Sequence, residues 1–203
     1  IRQKNSDYLF YLANLCGVLL RSGKYNKALK LMSSSIPDLK KTNSFYNKIG
    51  FASFYIRTLV YNKMGKNAVS YASTFLDAYK KEIFATRWHL FFAAYVQALL
   101  SAEKYSKLLA VAKRYNLLAL EKKFIDKTVY MPVLLWHNEV ALYMEGRQSK
   151  EKLEETIYSS ASVLLQNKYK AGRINELLDN LSESIPSEIA VIRSRLNLKP
   201  ERA

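Results

Sequence analysis

Glycine and proline are scarce in this chain, 6 and 4 among 203 residues. Sheets need frequent turn residues, whereas helices joined by short connections need few. The shortage therefore leans toward an all-α fold. The single cysteine, Cys16, excludes an internal disulfide and gives no reason to place the chain in an oxidising compartment. No apolar run approaches the ~18 residues that a membrane-spanning helix needs; the richest, Leu90 to Leu100, is interrupted by Gln97. The expectation is a soluble, cytoplasmic protein without a transmembrane segment. Because the chain starts at Ile1 rather than Met, it reads as a fragment of a longer one, with any targeting segment out of view.

Chemical motifs are missing as well. There is no phosphate-binding loop, dinucleotide fingerprint or nucleophile elbow. The only histidines, His89 and His137, are 48 residues apart, with no cluster of cysteine or histidine to complete the three or more ligands a metal site needs. His137 and Glu139 are two apart on a predicted helix and so point to different sides. Cys16 sits among leucines, a setting for burial rather than for a reactive thiolate. The acids of Glu151–Glu155 are interleaved with Lys152 and read as an ion-paired helix face. The expectation is no enzyme, no cofactor and no metal.

What is present is helical periodicity. Leu9, Leu12, Leu15, Cys16, Leu19 and Leu20 recur at steps of three and four, with Ser6 and Asp7 placed to cap the first turn. Arg21-Ser22-Gly23 ends that run, Tyr25, Ala28, Leu29, Met32 and Ile36 begin a second, and Pro37 closes it. The same pattern returns with turns near 23, 65, 103 and 146, spaced 42, 38 and 43 residues. A period in this range marks stacked helical units, since one helix pair cannot bury both apolar faces alone. The expected hairpins cover about 6–37, 43–83, 86–125 and 129–168, with a more polar C-terminal cap over 171–198 in which Pro186 opens the last helix.

The first unit resembles a tetratricopeptide repeat, through Leu12, Leu15, Leu19, Gly23-Lys24-Tyr25, Ala28, Met32 and Pro37. The second keeps Gly65-Lys66 but has Asn67 and Ser70 for the family's tyrosine and alanine. The third keeps Lys104-Tyr105, and the fourth keeps Gly146. The spacing exceeds the family's repeat of about 34 residues. The resemblance implies an α-solenoid of four to five stacked antiparallel hairpins, with a right-handed superhelix, that binds proteins or peptides. Repeats that grip a C-terminal carboxylate carry Lys and Asn at set inner positions. Registering on Gly23 and Gly65 puts Ala13, Gly17 and Ile56 there, so that subtype is not expected.

The chain has 15 tyrosines and a net charge of +15. Residues 1–130 hold 22 Lys and Arg against 7 Asp and Glu, whereas residues 131–203 hold 10 of each. Tyrosine suits both helix interfaces and binding grooves; Tyr55, Asn62, Lys63, Gln97, Trp136 and Tyr143 form the candidate groove. Lys24, Lys27 and Lys30, then Lys104, Lys107, Lys113 and Arg114, form a candidate basic face, with Lys122, Lys123 and Lys127 beyond it. The leading expectation is a scaffold for a protein or peptide partner. The alternatives are a nucleic-acid-binding helical repeat that uses the basic face and an accessory helical domain of a larger regulator or enzyme.

Overall fold

The computed structural model describes residues 2–122, 130–166 and 171–198. Among them every regular element is an α-helix: α1 (Arg2–Arg21), α2 (Tyr25–Ser34), α3 (Ile36–Leu39), α4 (Phe45–Tyr61), α5 (Gly65–Ala78), α6 (Lys80–Ala85), α7 (Trp88–Ser101), α8 (Tyr105–Glu121), α9 (Tyr130–Met144), α10 (Lys150–Gln166), α11 (Ala171–Asp179) and α12 (Pro186–Arg195). None is long and apolar enough to cross a membrane. The chain divides into two compact units, 1–103 and 104–203.

In the first unit, α1 packs on α4 and α4 on α7, while α2 touches both α1 and α4, and α5 touches both α4 and α7. The core of its first part joins Leu9, Leu12, Cys16, Leu19 and Leu20 of α1 with Ala28 and Met32 of α2 and Phe51 of α4. Cys16 is fully buried there, its Sγ 3.0 Å from Thr58 Oγ1, and burial pushes the thiol pKa up. The all-round apolar helix α7 is buried throughout Leu90–Leu100, as a helix with no polar side must be. In the second unit α9 packs on α8 and α10, and α10 also holds α11 and α12. The α10 stripe Leu153, Ile157 and Ala161 is fully buried. On the same helix Glu154 pairs with Lys150 at 3.8 Å and Glu155 with Arg195 of α12 at 2.7 Å.

The helix ends revise several sequence expectations. Ser6 and Asp7 lie inside α1, which extends back to Arg2. Pro37 does not close α2; it sits in the first turn of α3, where its missing N–H costs no hydrogen bond. Ser44 caps α4, its Oγ accepting from Asn47 N. Gly65 is not the turn residue of its pair but the first residue of α5.

At the ends of α1, α4, α7 and α9 the left-handed positions are Gly23, Lys63, Glu103 and Gly146, spaced 40, 40 and 43 residues. Lys24 N donates to Leu19 O, Met64 N to Leu59 O and Arg147 N to Leu142 O, each at 2.9 Å. This is the Schellman arrangement that satisfies the last carbonyls of a helix. Gly65 has a different reason to lack a side chain: a Cβ there would stand 2.7 Å from the Ser101 carbonyl oxygen. A 40-residue register also aligns Ala28 with Ala68 and Leu108, all fully buried. The short helices α3 and α6 follow α2 and α5 within two of these intervals.

Candidate functional site

The proposed groove residues do not share one surface. Gln97 and Trp136 are buried, because α7 and α9 carry apolar residues on every side and leave little of either helix facing solvent. Tyr55 is packed between elements, against the α1 core and edge-to-face with Tyr71 of α5 at 4.8 Å. Tyr143, in the second unit, donates its hydroxyl to Glu188 Oε1 at 3.3 Å, and the neighbouring carboxylate raises the phenol pKa. Lys150 Nζ also reaches that carboxylate, at 3.5 Å, so Tyr143 belongs to a polar link between helices.

Asn62 and Lys63, by contrast, stand at the turn between α4 and α5, and there they meet Lys24 and Lys27 of the basic face. The meeting follows from local structure. Asn62, the C-cap of α4, donates from Nδ2 to Tyr25 O at 3.1 Å and to Thr58 O at 2.8 Å. It thereby ties the C-terminal end of α4 to the N-terminal end of α2. Tyr25 and Tyr61 stack beside it, 5.2 Å between ring centroids and 15° between planes. The result is a notch of about 450 Å³ lined by Gly23, Lys24, Tyr25, Asn26, Lys27, Tyr61, Asn62 and Lys63.

Its electrostatics have one sign. The lining contains three lysines and no acid, and Lys24, Lys27 and Lys63 are exposed. The first turn of α2 contains no acidic side chain, and its N-cap, Lys24, makes no side-chain cap. The positive end of the helix dipole therefore adds to the lysines. Together these groups favour an anion, and the paired tyrosines give it an apolar and aromatic flank.

Lys30 continues the exposed row along α2, and Lys104, Lys107, Lys113 and Arg114 are exposed on or just before α8 in the second unit. Lys122 is exposed too, whereas Lys123 and Lys127 lie outside the described residues. His137 is buried, with Nδ1 2.6 Å from Val133 O, and burial lowers its pKa to about 4. Among the described residues no group of three His, Cys, Asp or Glu side chains is placed to hold a metal ion.

Sequence reasoning missed the Tyr25–Tyr61 stack. Tyr61 is the last residue of α4, and its place beside Tyr25 depends on a turn at Lys63 rather than at Gly65. A count of 40 from Gly23 carries the signal. Compared with protein-family models, curated proteins and solved structures, the chain matches none.

Proposed function

We propose that the chain is a non-catalytic protein-interaction scaffold that holds an acidic peptide segment at the turn edge of its first unit. The observation that carries this reading is the notch of Lys24, Lys27 and Lys63 around the stacked Tyr25 and Tyr61. Carboxylates of the segment meet the lysines and the open first turn of α2, and an aromatic or aliphatic side chain lies against the tyrosines. The recurring turns and the repeated Ala28 and Ala68 support a tetratricopeptide-like α-solenoid of four to five hairpins, right-handed, as the frame. A cytoplasmic setting belongs to the same reading, in keeping with a single buried, unbridged cysteine.

The test is a fluorescence-anisotropy titration with a labelled Glu-rich peptide that contains one Trp. Micromolar affinity is expected for the wild type. It should fall at least tenfold in Lys24→Glu/Lys27→Glu and several-fold in Tyr25→Ala. Equal binding to all three proteins would remove the notch from the account.

A second reading, nucleic-acid binding, is favoured by one observation: the exposed cations Lys104, Lys107, Lys113 and Arg114 gathered along one helix. Phosphate contacts of that kind carry no base specificity and weaken steeply with salt.

A further inference from the structure

The 40-residue register brings out a second surface on the first unit. It aligns Tyr8, Tyr11, Leu15 and Val18 of α1 with Lys48, Phe51, Tyr55 and Thr58 of α4, and with Trp88, Phe91, Tyr95 and Ala98 of α7. On α4 Phe51 and Thr58 of this row face the preceding helix pair, and Tyr55 packs both there and on Tyr71 of α5. Thr58 is bonded to Cys16, and Phe51 is fully buried among residues of α1 and α2. On α7 the row again faces the preceding pair: Phe91 stacks on Phe75 of α5 at 5.9 Å, and the Tyr95 hydroxyl lies 2.8 Å from Ser73 Oγ.

On α1 the same row is bare. Tyr11 is 68 % exposed, Val18 50 %, Leu15 48 % and Tyr8 46 %, against 0 % for Phe51, Thr58, Phe91 and Ala98. Phe10, edge-on to Tyr11 at 5.7 Å, widens the strip. No charged residue occurs between Tyr8 and Leu20. A continuous apolar strip at a position that is covered in two equivalent helices marks an interaction surface.

We propose that this face of α1 docks a two-helix segment of an acidic partner protein, which packs on α1 as α1 and α2 pack on α4. The shape of the occupant comes from that internal template. Its charge follows from the unit that receives it, since residues 1–103 hold 15 Lys and Arg against 5 Asp and Glu. An acidic rim is drawn to such a surface. A second copy would instead set two strongly basic units against each other. The inference does not depend on the notch and stands whether or not the notch binds anything.

The test places the photo-crosslinker benzoylphenylalanine at Tyr11 of the full chain in the cells that make it, with the same probe at Lys30 as a surface control. The expected adduct maps to a two-helix, net-acidic segment of another protein. That protein, purified, should bind the wild type and lose at least tenfold in affinity for Leu15→Asp/Val18→Asp, and several-fold for Tyr11→Ser. Circular dichroism confirms that the variants are folded, as substitutions at exposed positions should be. The inference is overturned by an adduct between two copies of this chain, an adduct within one copy, a partner that is not acidic and helical, or no adduct beyond the Lys30 control. If Lys24→Glu/Lys27→Glu abolishes binding while Leu15→Asp/Val18→Asp leaves it intact, the partner belongs to the notch and the α1 proposal fails.

Discussion

A single methyl group separates Gly65 from alanine, and the site has no room for it. The added Cβ would meet both the carbonyl and the hydroxyl oxygen of Ser101 at 2.7 Å. One of these is backbone, so the approach of α5 to α7 must give way. Overpacking of this kind costs about 1–3 kcal/mol. Gly65→Ala should lower the denaturant midpoint accordingly, whereas a midpoint equal to the wild type's would mean that the close approach is unimportant. His137 makes a second residue-scale prediction. Its pKa falls from 6.5 to about 4 because burial disfavours the charged ring. Between those two values the unfolded chain binds more protons than the folded one, so stability is intact above pH 6.5 and is lost as pH falls toward 4. By linkage the loss is roughly 3 kcal/mol. Urea titrations at pH 7 and pH 5 should show a fall in the wild type that is smaller in His137→Gln.

At the scale of elements, the ends of helices carry the information. Gly23 and Glu103 occupy equivalent left-handed positions, at φ 69° and 56°. Glycine takes that conformation without penalty, whereas a residue with a side chain pays for it. Gly23→Ala should therefore destabilise by about 1 kcal/mol and Glu103→Gly should stabilise by up to about 1 kcal/mol. Opposite shifts in melting temperature would confirm that the two turns are alike, and shifts of the same sign would contradict it.

Much of this level was legible in the sequence. Proline chemistry put Pro186 in the opening turn of the last helix, as found. Gly65 misled because glycine serves two purposes, and a close approach looks the same in sequence as a left-handed turn. Lys63 gave no sign of its φ of 60°, since nothing about lysine announces that conformation. The candidate site was legible only in part. Asn62, Lys63, Lys24 and Lys27 were each singled out, but in two separate groups, and their meeting depends on the Asn62–Tyr25 bond between elements. Gln97 and Trp136 were misplaced for a physical reason: a helix apolar on every side does not reveal which flank stays open.

For the whole molecule the organising facts are two compact units and an uneven charge. The basic excess is confined to residues 1–130, and it provides both the notch of the first unit and the α8 row of the second. A scaffold for acidic segments uses the first, and a nucleic-acid binder uses the second. Both draw anions, so affinity alone does not separate them; salt dependence and competition do. The most direct measurement is an anisotropy competition with the labelled Glu-rich peptide and labelled single- and double-stranded oligonucleotides, at about 50 and 200 mM salt. A scaffold for acidic segments should keep its peptide at the higher salt and lose it in Lys24→Glu/Lys27→Glu, while oligonucleotide binding fades. Oligonucleotides held tighter than micromolar at the higher salt, and not displaced by the peptide, would contradict the scaffold reading.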